Sequence, residues 1–81
     1  MINYAAIGSE IEHNYDSAQC AAFARKYHQS TDGAMASLAT FARFVCTAKC
    51  ERLAGRIDVA QLAELNAQTV YEREIKPANR W

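Results

Sequence analysis

Two of the three cysteines, Cys46 and Cys50, lie four residues apart in the segment Phe44–Cys50, and Cys20, His13 and His28 are the nearest chemical match to them in the chain. Four residues apart on a helix, two side chains sit about one turn apart on neighbouring faces. A disulfide needs Cβ atoms ~3.8 Å apart, closer than that spacing gives without straining the helix. A redox dithiol uses C-x-x-C at a helix start, where the dipole lowers a thiol pKa, whereas this pair falls well inside a helical pattern. Structural zinc is built on turns carrying C-x2-C or H-x3-H pairs, and only half such a pattern is present. An iron–sulfur cluster needs another cysteine nearby. The expectation is therefore buried or half-buried packing thiols, with no metal and no other cofactor.

Ser9, His13 and Asp16 fall at i, i+4 and i+7 and imitate a hydrolytic triad on paper. Three residues on one helix face would have to converge on a single line of hydrogen bonds, and no second element supplies an oxyanion hole. Capping and solvation account for all three. His28, at the end of a helical segment beside Tyr27, suits contact with terminal carbonyls. No glycine loop for phosphate and no H-E-x-x-H motif is present, and Glu72 and Glu74, two apart, do not face each other. The residues predict a protein that is not an enzyme.

Lys49, Arg52 and Arg56 form a basic stripe that suits helix-dipole complementation, an acidic partner or a phosphate backbone. The sequence that follows, "DVAQLAELNAQTVYERE", is similar in rhythm to helix-turn-helix repressors, which makes a small DNA-binding regulator of degenerate helix-turn-helix type the alternative function. The glycine turn between the two motif helices is missing, and residues 43–81 carry seven basic and five acidic side chains. A balance of +2 argues against nucleic acid as the partner. Phe44 and Tyr71 fall on the polar side of their own helical patterns, and Arg80 and Trp81 close the chain. Trp81 either folds back over the core or anchors a partner, a role that suits Trp and Arg. Phe44, Lys49, Arg52, Arg56, Tyr71, Arg80 and Trp81 are thus the candidate partner-binding residues.

The elements that must position these residues are all helical. Gly8, Gly33, Gly55 and Pro77 are the only glycines and proline, and Ala, Leu, Gln, Glu and Arg dominate between them. Sixteen of the 81 residues are alanine, so the side chains able to fill a core are few, and help from tight helix packing or a second subunit is expected. Tyr4, Ile7, Ile11 and Tyr15 form one apolar stripe, with Gly8 weakening the helix and Ser9–Glu12 able to restart it. Cys20, Phe23, Ala24 and Tyr27 form a second stripe, separated from the first by a break at which Asp16 or Ser17 is the N-cap. Thr31 or Asp32 caps a long helix through Ala54, closed by Gly55, with Met35, Leu38, Phe41, Ala42, Val45, Cys46 and Leu53 inward. Asp58 with Gln61 reads as a capping box and Ile57 with Leu62 as a staple for a last helix. That helix has Val59, Leu62, Leu65 and Val70 as its buried side and stops near Lys76, ahead of Pro77. The fold class is all-α: a small bundle of three to four helices, the central one about residues 32–54, with one domain over 1–76 and a tail over 77–81.

No run approaches the roughly 20 apolar residues that cross a bilayer, and the opening "MINYAAIGSEIEHN" reads as no cleaved leader. Unpaired cysteines and zero net charge suit the cytoplasm and suit no membrane surface. In its whole-chain profile (short, neutral, helical, with spare aromatics) the sequence resembles the small accessory proteins of bacteriophages and mobile elements, including anti-CRISPR and other host-takeover inhibitors. That resemblance implies an inhibitor that occupies a surface on a larger bacterial protein or complex, working in the host cytoplasm if the chain is phage-encoded. A second copy of the chain is the other candidate partner.

Overall fold

The computed structural model describes residues 2–79, and they form four α-helices with no strand among them. Helix α1 spans Tyr4–Asn14, α2 Ser17–Tyr27, α3 Gly33–Leu53 and α4 Ile57–Val70. A π-helical turn, Tyr71–Ile75, and a 3-10 turn, Pro77–Asn79, follow. The long helix α3 is the spine: α2 and α4 pack along it most extensively and α1 more lightly. Arg80 and Trp81, two of the candidate binding residues, lie outside the described residues.

Local chemistry sets most boundaries. Asp16 caps α2 through a reciprocal box, its Oδ1 accepting from Gln19 N at 2.7 Å while Asp16 N donates to Gln19 Oε1 at 2.9 Å. Asp32 caps α3 by accepting from Ala34 N and Met35 N. Its second carboxylate oxygen accepts a 2.8 Å hydrogen bond from Tyr4 Oη, which ties α1 to the start of the spine. Gly55 closes α3 at φ 81°, a left-handed conformation that a side chain resists.

Two expected starts are corrected. Helix α1 runs through Gly8 without restarting at Ser9, because Asn3 caps it and Gly8 is buried in its middle. Helix α4 begins at Ile57, two residues earlier than the Asp58 box requires; Arg56 precedes it and no side chain caps it. Asp58 therefore sits in the first turn, where its charge still suits the positive end of the helix dipole, and Gln61 has no capping role.

The core joins Ile11, Cys20, Leu38, Phe41, Val45 and Ile75 around α3, with Tyr4, Ile7, Tyr15, Phe23 and Met35 half-buried against it. The π turn has a packing reason. In an unbroken α-helix, Glu74, seven residues after Ala67, would return to the buried face. The wider turn, closed by Lys76 N donating to Tyr71 O at 2.8 Å, takes up one extra residue, so Ile75 arrives there instead and is fully buried. Glu74 is left outside, accepting from Ser37 Oγ at 3.0 Å.

Candidate protein-binding surface

The buried face of α4 consists of Ala60, Ala63, Ala67 and Val70. Alanines on this face suit close packing of α4 along α3, the helix it packs against most extensively. The connection Ala54–Arg56 is only three residues long, and Arg52 grips Glu64 across the hairpin with Nε and Nη2 at 2.8 and 2.6 Å. A short turn and a two-pronged clamp fix the start of α4 against the end of α3 with its small side chains inward.

The consequence reverses the expected orientation of α4. Leu62 and Leu65 point outward, 60 % and 59 % exposed, with Val59 at 46 % and Ile57 at 42 %. Leu53, expected inside α3, is 87 % exposed at the hairpin end. At ~25 cal/mol per Å², each outward leucine leaves roughly 2–3 kcal/mol of burial unrealised. Together the five side chains hold on the order of 500 Å² of apolar surface in water, within the ~300–600 Å² that the largest patch on a monomer reaches.

The basic stripe is engaged within the chain. Arg52 pairs with Glu64, and Arg56 pairs with Glu51, with Nη2 3.2 Å from Oε1. The hydrogen bonds from these guanidinium groups hold both carboxyls below the usual range. Lys49 Nζ donates to the backbone carbonyl of Tyr15, just past the C-terminus of α1. Phe44 and Tyr71, expected on polar faces, are half-buried and pack on the core. The Tyr71 ring lies 5.9 Å from that of Phe41, and its edge fills the space left by the missing side chain of Gly8. The structure therefore brings Lys49 and Tyr71 to one cleft of about 710 Å³ between α1, α3 and α4, with Glu64 on its wall and Leu65 at the α4 side. Phe44, Arg52 and Arg56 do not line it.

Sequence reasoning passed over three arginines, Arg25, Arg43 and Arg73. Among the described residues these three are in no ion pair, and neither is Asp58. Arg25 and Arg43 flank a second groove of about 380 Å³ between α2 and α3, floored by Ala21, Ala24 and Cys46. The signal was present in the helical registers: Arg25 on α2 and Arg43 on α3 both neighbour the predicted core stripes. It became visible only once the two helices were laid side by side.

The remaining chemical candidates separate. Ser9 Oγ and His13 Nδ1 come within 3.4 Å, but Asp16 is engaged in the α2 capping box, so no triad forms. His28 Nδ1 lies 3.0 Å from the carbonyl of Arg25, as its helix-end position predicts. All three cysteines are free: Cys20 is buried, Cys46 half-buried and Cys50 exposed, the last a correction to the expectation of packing thiols. Burial pushes the Cys20 and Cys46 thiols up, with Cys50 adding to the rise at Cys46. Among the described residues no three His, Cys, Asp or Glu side chains are grouped to hold a metal. No helix among them is long and apolar enough to cross a membrane. Compared with known proteins, the chain matches no family model, no curated relative and no solved structure.

Proposed function

We propose that this chain is a non-enzymatic protein-interaction module whose working surface is the outer face of α4. One observation carries the reading: the largest side chains of α4 point to solvent while its alanines face the core. A helix whose only task was to close the bundle would gain more by turning Leu62 and Leu65 inward. The finer reading is a small phage-type inhibitor that blocks a bacterial host or defence complex in the cytoplasm. It draws on the whole-chain resemblance and on the outward leucines, which are suited to seating against a hydrophobic groove. The helix-turn-helix alternative gains no support, because Arg52 and Arg56 are occupied by carboxylates and Lys49 by a backbone carbonyl.

The test is affinity capture from a bacterial lysate with the wild-type chain and with the double variant Leu62→Asp/Leu65→Asp. Both positions are exposed, so the variant keeps wild-type helicity by circular dichroism. The wild type retains a stoichiometric partner, or a second copy of itself, and the variant loses it. Equal behaviour of the two chains counts against this surface.

A further inference from the structure

We propose that the outer face of α4 is a two-fold interface with a second copy of this chain, the two α4 helices lying antiparallel. This rests on the reading of that face as a protein-binding surface and names its occupant. Three observations lead to it.

The first is area. Full coverage of all five side chains, Leu53 of α3 and the flanking Ile57 and Val59 included, would bury about 500 Å² of apolar surface, which as ~65 % of an interface of homodimer composition corresponds at most to ~800 Å² per chain. That is the area of a standard stable protein interface.

The second is the order of residues along the face. Asp58, Leu62, Leu65 and Thr69 follow one another at spacings of four, three and four, which places them on one stripe of the helix. Arg73, four residues after Thr69 and exposed in the π turn, extends that row. The face thus reads acidic, apolar, apolar, polar, basic from one end to the other. An antiparallel pair matches this pattern to itself. Leu62 of one copy meets Leu65 of the other, and Asp58 comes within about one helical turn, ~6 Å along the axis, of Arg73 of the second copy. A parallel pair would oppose Asp58 to Asp58 and Arg73 to Arg73. A two-fold axis repeats each favourable contact, so the pattern counts twice.

The third is which charges remain over. Arg52, Arg56 and Lys76 are each paired within the chain, while Asp58 caps nothing and neither it nor Arg73 is in an ion pair among the described residues. The two unengaged charges on this face have opposite sign and stand at opposite ends of the apolar strip. The α2–α3 groove stays open in such a pair, since Arg43, Cys46 and Thr47 line it from a different side of α3 than Phe41, Val45 and Ala48, which face the α4 side.

Sedimentation velocity and light scattering on the full chain test the proposal across a concentration series reaching about 100 µM, well above a micromolar Kd. The expected species has twice the 9.0 kDa chain mass. Leu62→Asp/Leu65→Asp runs as a monomer with unchanged helicity. Asp58→Arg and Arg73→Asp each weaken the dimer about tenfold, and the double exchange Asp58→Arg/Arg73→Asp recovers most of that loss. A wild-type chain monomeric at the highest concentration overturns the inference. So does a dimer indifferent to the leucine variants, or one that the charge exchange fails to restore. A monomeric wild type that still loses a lysate partner on Leu62→Asp/Leu65→Asp would leave the functional reading standing with a different occupant. Loss of both signals would remove that reading as well.

Discussion

At Gly8 the chain has almost no room for a β-carbon: one built there would lie 3.1 Å from Tyr71 Cε2 and 3.5 Å from Leu38 Cδ2. Gly8→Ala adds helix propensity but makes the Tyr71 ring give by a few tenths of an ångström, so its effect on stability is small. Gly8→Val drives a branched side chain into the same ring and destabilises by about 2 kcal/mol, read as a lower denaturant midpoint. Tyr4 and Asp32 couple at the other end of α1. The hydrogen bond from Tyr4 Oη holds the Asp32 carboxyl below its ordinary value of 3.8 and the Tyr4 phenol above 10.0, with the two backbone N–H groups at the cap adding to the effect on Asp32. The Asp32 contribution is present above the ordinary carboxylate pKa and is lost as pH falls through the lowered folded value. The Tyr4 contribution is present below pH 10.0 and is lost as pH rises through the raised folded value. Thermal melts against pH should therefore show an acid limb flattened by Asp32→Asn and an alkaline limb flattened by Tyr4→Phe. Unchanged limbs would mean that the contact does not form in solution.

Among the elements, α4 differs most from its sequence-based reading. Apolar periodicity alone favours Val59, Leu62 and Leu65 as the inward side, and a lone helix would bury them. Ala60, Ala63 and Ala67 share the opposite stripe, and a helix with apolar residues on two faces has no single orientation until its neighbour is known. The neighbour is α3, held close by the three-residue connection and by the Arg52–Glu64 clamp. Two substitutions read out the orientation directly. Ala63→Leu forces the helices apart and costs about 1–3 kcal/mol, whereas Leu62→Ala leaves the stability of the isolated chain within about 0.5 kcal/mol. The reverse ranking in chemical denaturation would restore the leucine-inward helix. The bounds of helix α3 were legible to within a residue or so, because Thr31 or Asp32 at its start and Gly55 at its end are local signals that no packing choice alters. The π turn was not legible, since it answers to the burial of Ile75 against other helices and not to any propensity of "YEREI".

For the molecule as a whole, a bundle measuring 41 × 22 × 20 Å leaves part of its best apolar material on the surface. A chain of 81 residues with sixteen alanines has a small core, and a second subunit is one of the few ways to enlarge it. The antiparallel pair has a signature at this scale: binding linked to folding makes the melting temperature rise with chain concentration, and Leu62→Asp/Leu65→Asp abolishes the dependence. Local signals along the chain were enough for the helical class, the approximate length of the spine, the stop at Gly55 and cap positions narrowed to Asp16 or Ser17 and to Thr31 or Asp32, because each depends on hydrogen bonds and backbone angles within a few residues. Packing between the helices settled which face of α4 is inside, that Phe44 and Tyr71 pack on the core, that Lys49, Arg52 and Arg56 have partners within the chain, and that Arg25 and Arg43 share a groove. Those outcomes depend on the distance between helix axes and on which charges meet across them, and neither quantity is written in any single stretch of the chain.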